Sequence, residues 1–235
     1  MTRKAKRAII KVLIYVPLLC VLTSFSAIVV FKYAPVRYTP LMALRSFEHR
    51  KDTDYHIRKE WKPLSEIAPE MAMATMAAED LRFNMHKGFD KEAIRRAWSD
   101  YRQGKSKRGA SSISQQTAKN VFLVPHRSWI RKGLEACFTV GIEWMWGKER
   151  ILEVYLNVVE TGPGIFGVEA ASQYYYKKPA KELTEKEATL LASCFANPRL
   201  RNPLHPSPAM EKRVATIEWV LSWLPVPEWL PTIEK

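Results

Sequence analysis

The longest apolar stretch of the chain lies near its N-terminus. Residues 12–31 form an unbroken run without a charged side chain. At a rise of about 1.5 Å per residue, a helix of this length spans about 30 Å, which matches the hydrocarbon core of a bilayer. The proline within the run, Pro17, is tolerated in a membrane-spanning helix. The pattern predicts a single transmembrane helix over residues 12–31, since no second run of comparable length follows.

The residues that flank this run predict its orientation. Residues 1–11 contain five basic side chains and no acidic one, and an excess of Lys and Arg is typical of the cytoplasmic end of a spanning helix. We therefore expect a cytoplasmic basic tail, with the rest of the chain outside the cytoplasm. A cleaved signal peptide is the alternative, because the small residues 24–27 loosely resemble a cleavage site. The apolar run continues beyond them to Phe31, which favours a retained anchor.

After the apolar run, the pattern changes from a connector to a helical domain. Residues 32–63 are polar and contain several prolines, so we interpret them as a connector, and residues 64–235 as the folded domain. Alternating strand patterns are scarce there, whereas helical patterns recur. The sequence therefore predicts an all-α domain. The helices are predicted over residues 65–83, 91–102, 113–122, 131–146, 148–158, 168–176, 185–195 and 208–224.

Composition and charge limit the classes of partner that the protein could bind, but they do not identify its function. The chain has 235 residues, of which 47% are apolar, enough for the packed core of one domain. Its net charge of +13 favours nucleic acid, anionic lipid or a phosphate-bearing substrate as a partner. The predicted membrane anchor argues against nucleic acid. The three cysteines, Cys20, Cys137 and Cys194, fit neither a disulfide framework nor a zinc motif, so structural roles are favoured.

The first candidate for chemistry is a pair of adjacent acids. Glu79 and Asp80 follow the apolar segment MAMATMAA. A carboxylate next to such a surface is partly desolvated, which raises its pKa and suits it to proton transfer. The alternative is a helix end whose charges are solvated, and this segment alone favours that alternative.

Two further clusters suit an anionic or sugar ligand. In residues 109–120, small residues precede hydroxyl and amide side chains at the start of a predicted helix, whose free amide groups favour negative charge. A serine-rich helix cap explains the same pattern equally well. Arg131 and Glu135 are spaced four residues apart on the border of an apolar helix face. Such a pair lines a cleft or, more commonly, forms an ordinary surface ion pair.

One motif is misleading. Residues 162–167 read GPGIFG and match the glycine pattern of dinucleotide-binding proteins. A dinucleotide site needs a strand before the glycines and a βαβ unit around them, whereas residues 155–159 are predicted to end a helix. A tight glycine turn between helices is the better interpretation.

Four segments, taken together and in this order, closely resemble the peptidoglycan glycosyltransferases. This family includes the transglycosylase domain of bifunctional penicillin-binding proteins. The segments read EDLRFNMHKGFD, GASSISQQTAKNVFL, RKGLEACFTVGIE and KERILEVYLNVVETGPGIFGVEAASQYYYKK. The resemblance covers residues 66–197. The Ser-x-x-Lys and Lys-Thr-Gly motifs of a transpeptidase domain do not occur in the sequence, so the chain resembles a monofunctional member.

The resemblance implies a fold, a reaction and a site. The fold is an all-α, lysozyme-like domain with two lobes, a head and a small membrane-associated jaw. The reaction joins lipid II to a growing lipid-linked strand through β-1,4 bonds and releases undecaprenyl pyrophosphate. Glu79 matches the general base of this inverting transfer, and Glu135 matches a second catalytic glutamate that orients cations or a metal. The implied substrate-binding residues are Asp80, Phe83 and His86 in the donor-site wall, Ser112, Gln115, Gln116 and Asn120 on sugar or phosphate, and Lys119, Arg131 and Lys132 on pyrophosphate.

The resemblance also implies a location and partners. We expect a single-pass protein of the bacterial inner membrane whose catalytic domain is extracytoplasmic. It would act on lipid II, the lipid-linked strand and the membrane, beside other proteins of cell-wall synthesis, and not on nucleic acid. A divalent cation, Mg²⁺ or Mn²⁺, is the one candidate cofactor, although the sequence shows no metal-ligand cluster. The alternatives are a lysozyme or lytic transglycosylase, and a non-enzymatic scaffold.

Overall fold

A computed structural model describes residues 3–105, 109–126 and 128–230. Within these residues ten α-helices and three very short strands are formed, which confirms the all-α prediction. The helices are α1 (Arg3–Tyr33), α2 (Pro40–Glu48), α3 (Pro69–Glu79), α4 (Lys91–Arg102), α5 (Ile113–Phe122), α6 (Trp129–Met145), α7 (Lys148–Val158), α8 (Val168–Tyr176), α9 (Glu185–Cys194) and α10 (Pro208–Leu221). The strands are β1 (Arg58–Lys59), β2 (Glu160–Gly162) and β3 (Ile165–Phe166).

The N-terminal unit consists of α1 and the residues next to it. Its helix continues through Pro17, and its segment Ile10–Tyr33 has a mean hydropathy of 2.4 in its most apolar window. It is the one helix of the described chain that is long and apolar enough to cross a membrane. This fits the predicted anchor, and a signal sequence would meet the same criteria.

The second unit, from Val36 onward, has α3 in its core. All six residues from Met71 to Met76 are buried, as expected for a helix that is apolar on every face. This helix packs against α9 and α10, while α5 packs against α6 and α7. The Met- and Ala-rich sequence therefore forms a central helix, and its C-terminal end carries Glu79.

The end of α3 differs from the prediction. A helix was expected to continue to residue 83, but α3 ends at Glu79 and a single 3₁₀ turn follows at Phe83–Met85. Asp80 leaves the helical conformation, with φ −160° and ψ 80°. Its carboxylate accepts a hydrogen bond from the backbone amide of Ile113, at the start of α5. A tertiary contact thus ends the helix where the local sequence would have continued it.

The glycine motif forms a β-hairpin. β3 lies between β1, to which it is parallel, and β2, to which it is antiparallel. Gly164 lies in the turn with φ +71°, and a Cβ there would lie 2.9 Å from the carbonyl oxygen of His56. The prediction of a structural glycine turn is correct, but the turn lies inside a hairpin and not directly between helices.

The expected connector is partly built into the second unit. Residues 32–63 contain α2 and β1, neither of which was predicted. The guanidinium of Arg45 on α2 donates two hydrogen bonds, of 3.0 and 3.1 Å, to the carboxylate of Glu160 on β2. A nine-residue helix and a two-residue strand are too short for periodicity to reveal them.

Candidate active site

The side chain of Glu79 lies at the meeting point of α3, α5 and α10. Oε2 accepts a hydrogen bond of 2.9 Å from Nε2 of Gln116, and Oε1 accepts one of 2.9 Å from Nη2 of Arg213. The side chain is 12% exposed. Burial raises the pKa of Glu79, and the Gln116 hydrogen bond and the charge of Arg213 offset only part of this rise. The structure therefore provides a partly desolvated carboxylate, which suits a proton acceptor at neutral pH.

A fully buried tyrosine orients the amide that contacts Glu79. The hydroxyl of Tyr155 on α7 donates to Oε1 of Gln116 over 3.3 Å. Burial raises the pKa of Tyr155 well above its usual value, so its hydroxyl keeps its proton. Because the amide oxygen of Gln116 is taken by this contact, its NH₂ group faces Glu79. The chain of contacts fixes Glu79 as an acceptor.

Two cavities are lined by residues of this arrangement. The larger, of about 620 Å³, is lined by Glu79, Asp80, Ser111 and Ser112 together with residues of α4. The smaller, of about 320 Å³, is lined by residues that include Gln116, Lys119, Asn120 and Arg131. The hydrogen bond between Gln116 and Glu79 therefore connects a residue of one cavity to a residue of the other. A reaction between two bound substrates needs a space for each of them.

A cluster of positive charge surrounds Glu135. This carboxylate, 3% exposed, accepts a hydrogen bond of 2.8 Å from Nη1 of Arg131 and forms a second ion pair with Nζ of Lys132. Burial lowers the pKa of nearby Lys119, although the charge of Glu135 opposes this effect. Three basic side chains around one carboxylate leave a net positive charge when all are ionised. The cluster suits an anionic group, such as a phosphate.

Residues of the first segment, EDLRFNMHKGFD, contact one another. Nε2 of His86 lies 3.0 Å from both carboxylate oxygens of Asp80, one of which also accepts the Ile113 amide hydrogen. Phe83 is buried, and Nζ of Lys148 lies 4.5 Å from the centre of its ring. Of these residues, Asp80 lines the larger cavity, whereas Phe83 and His86 are not among its lining residues. Their role as a donor-site wall stays a prediction.

The second segment, GASSISQQTAKNVFL, contains both a helix cap and residues that line the cavities. Ser112 and Gln115 form a capping box at the start of α5, and both are buried. Ser112 Oγ also donates to the carbonyl oxygen of Gly88. Their polar groups are thus engaged within the protein, whereas Gln116 and Asn120 reach the smaller cavity. Contact of the four residues with sugar or phosphate stays a prediction.

Two residues of the site were not predicted from the sequence. Arg213 contacts Glu79 across 134 positions of the chain, and Tyr155 contacts Gln116 across 39. Arg213 follows Glu211 and Lys212 in a charged stretch that resembles an ordinary solvated helix face, and Tyr155 lies in a helix with an apolar packing pattern. Only the fold brings them to Glu79.

The residues of the cationic cluster do not fit a protein-held metal ion. In the described ranges no three His, Cys, Asp or Glu side chains are grouped to bind one. Glu135, the carboxylate expected to orient a metal, has both oxygens in ion pairs with basic side chains. A cation would have to displace one of these partners. The expected divalent cation stays a prediction.

Comparisons with known proteins show which family the chain belongs to. The model of the family described as Transglycosylase matches residues 42–221. A protein of Bdellovibrio bacteriovorus is 51% identical over 183 residues, which cover 77% of this chain and 73% of that protein. A protein of Caulobacter vibrioides is 41% identical over 217 residues, covering 92% and 93% of the two chains. One from Escherichia coli is 45% identical over 209 residues, covering 87% and 85%.

All three relatives carry the name biosynthetic peptidoglycan transglycosylase. The family match extends beyond the four segments and includes most of α2 and all of α10. It confirms the resemblance, the lysozyme-like all-α fold and the expectation of a glycosyl-transferring enzyme. The chain belongs to the transglycosylase family.

Proposed function

We propose that this protein polymerises lipid II into β-1,4-linked peptidoglycan strands and releases undecaprenyl pyrophosphate. One observation carries the proposal: the buried carboxylate of Glu79 lines one cavity and is hydrogen-bonded to Gln116, which lines a second cavity together with the basic side chains of Lys119 and Arg131. The relatives named above support the substrate class. A lipid-linked sugar pyrophosphate and a sugar hydroxyl are the two partners that such a site suits.

Glu79 would act as the general base of an inverting transfer. It takes the proton of the acceptor's 4-hydroxyl while that oxygen attacks the anomeric carbon of the donor. The bond from this carbon to the pyrophosphate oxygen breaks, and its electron pair leaves with the pyrophosphate. Attack opposite the leaving group converts an α-linked donor into a β-linked product. Arg213 and Gln116 occupy one position on each oxygen of Glu79, which leaves further lone pairs for the hydroxyl proton.

The cationic cluster would stabilise the leaving pyrophosphate. Lys119 and Arg131 line the smaller cavity, and Lys132 lies on the same turn of α6 as Arg131. Negative charge that develops on the leaving group is stabilised by positive charge already held in place. Glu135 would position Arg131 and Lys132, with each of which it forms an ion pair, and we assign it no role as a second base.

The N-terminal helix would hold the enzyme where its substrates are. Both substrates carry lipid tails, so an anchor raises their effective concentration at the site. We propose a single-pass topology with the basic tail in the cytoplasm and the catalytic domain outside the inner membrane. Other cell-wall synthesis proteins are proposed as neighbours there.

Purified full-length protein in detergent, incubated with lipid II, tests the proposal. Long glycan strands that a muramidase digests are the expected product, and preformed sacculi should stay intact. Release of soluble fragments from sacculi without polymerisation would identify a cleaving enzyme instead. An inactive protein that binds other wall-synthesis proteins would identify a scaffold, and both results would refute the proposal. Repeating the assay with EDTA, with and without added Mg²⁺ or Mn²⁺, tests the expected divalent cation.

A further inference from the structure

We propose that Arg213 is a positioning residue that keeps Glu79 ionised and correctly oriented for catalysis. The inference rests on the proposed role of Glu79 as the base. It assigns a function to α10, a helix that carries none of the residues predicted from the sequence.

The guanidinium of Arg213 joins two successive residues at the end of α3. Nη2 lies 3.0 Å from the backbone carbonyl oxygen of Ala78 and 2.9 Å from Oε1 of Glu79. The C-terminal carbonyl groups of a helix carry partial negative charge, which a cation at that end stabilises. Arg213 therefore holds both the backbone before Glu79 and its side chain, so the carboxylate cannot rotate freely.

The charged and titratable groups around Glu79 come from four neighbouring parts of the fold. Arg213 lies on α10, Lys119 on α5, Arg201 in the segment after α9, and Tyr155 on α7, and Asp80 is the next residue in the chain. Of the cations, Arg213 alone forms an ion pair with Glu79 in the part of the chain that the structure describes. It is the group whose removal changes the charge at the carboxylate most directly.

Burial and Arg213 act in opposite directions on this carboxylate. Burial favours the neutral acid, which cannot accept the proton of a sugar hydroxyl, whereas an adjacent guanidinium favours the carboxylate. Arg213 itself is 30% exposed, so its own charge stays hydrated while it stabilises that of Glu79. Loss of this charge should convert more of the base to its inactive, protonated form at a given pH.

The pH dependence of kcat/KM for lipid II polymerisation tests this assignment. In R213Q the acid limb should move to higher pH by about 1–3 units, so that activity falls at least tenfold near the acid limb and recovers in alkaline buffer. R213K keeps a charge but lacks the guanidinium group whose Nη2 donates to both the Ala78 carbonyl oxygen and Oε1 of Glu79, so a smaller shift in the same direction is expected. K212Q is the matched control, because Lys212 is exposed on the same helix and loses the same charge. Its profile should match the wild type.

Two results would overturn the assignment. If R213Q and R213K lose activity equally at all pH values, or keep the wild-type limb, Arg213 has a structural role only. If R213Q does not fold, the limb of R213K decides by the same criterion. E79Q, assayed in parallel, distinguishes failure of the proposed base from failure of this inference. An active E79Q refutes the role of Glu79 as the base. An inactive E79Q, together with an unshifted acid limb in R213Q and R213K, refutes only the role of Arg213.

Discussion

Nε2 of Gln116 donates a hydrogen bond of 2.9 Å to Oε2 of Glu79, although 37 residues separate the two in the chain. This contact connects the start of α5 to the end of α3. Because Tyr155 holds the other end of the same amide, the geometry of Glu79 depends on residues from several helices.

Loss of the Tyr155 hydroxyl should reduce activity more than stability. Y155F removes the hydrogen bond that orients the amide of Gln116. We therefore expect the polymerisation rate to fall several-fold, while the free energy of unfolding falls by about 1 kcal/mol. Y176F is the control, since Tyr176 also donates a 3.3 Å hydrogen bond, to the carbonyl oxygen of Glu187. Initial rates and thermal unfolding of both variants check this. Equal losses of rate in the two variants would contradict it.

Removal of the Glu135 charge should destabilise the protein. E135Q leaves Arg131 and Lys132 without their shared buried carboxylate. We expect a loss of about 2 kcal/mol or more in unfolding free energy, together with weaker activity. E48Q is the control, because Glu48 pairs with Arg45 at the surface, where such pairs contribute under about 1 kcal/mol. A smaller effect of E135Q than of E48Q in chemical denaturation would refute the role of Glu135.

Substitution of Gly88 should disturb the first motif. Gly88 has φ +88°, and a Cβ there would lie 2.7 Å from Cγ2 of Thr139. G88A therefore combines left-handed strain with overpacking, which together cost roughly 2–4 kcal/mol. G104A is the matched control, because Gly104 has φ +67° and no atom within 4 Å of its Cβ position. The melting temperature should fall clearly further in G88A, and equal shifts would show that the contact is unimportant.

The raised pKa of Glu79 predicts a pH-dependent stability. Because burial raises the pKa of Glu79, the folded protein keeps a proton that the unfolded chain releases. The contribution of Glu79 to stability therefore falls as pH rises from the ordinary pKa of a glutamate through the raised one. E79Q lacks this dependence, so its melting temperature minus that of the wild type should be larger at pH 7 than at pH 4. A constant difference would contradict the raised pKa.

The helices were predictable because their sequences are locally consistent. The predicted bounds of 91–102, 113–122, 148–158 and 168–176 coincide with those of α4, α5, α7 and α8. Two of these helices begin at a side-chain cap, the Asp90 cap of α4 and the Ser112 capping box of α5, whereas α7 and α8 each follow a glycine. Local capping and apolar spacing were thus enough to predict the positions of these helices.

The geometry of the site was less predictable because it depends on distant contacts. Glu79 is recognisable from its motif, but its helix was expected to continue past it, and the contact of Asp80 with α5 that ends the helix is non-local. Arg213 shows no local sign of its role, since its partner lies on another helix. The sequence pattern identified Glu79 as a candidate, whereas only the packing of α3 against α10 shows that Arg213 contacts it.

The most direct test of the central claim is the rate of lipid II polymerisation by E79Q. A positioned general base contributes roughly 10²–10⁴-fold to the rate. In E79Q we therefore expect kcat to fall by roughly 10²-fold or more, while the affinity for lipid II stays within a few-fold of the wild type. E70Q, altered at the other end of the same helix, should polymerise at the wild-type rate. An undiminished yield of glycan strands from E79Q would show that Glu79 is not the base.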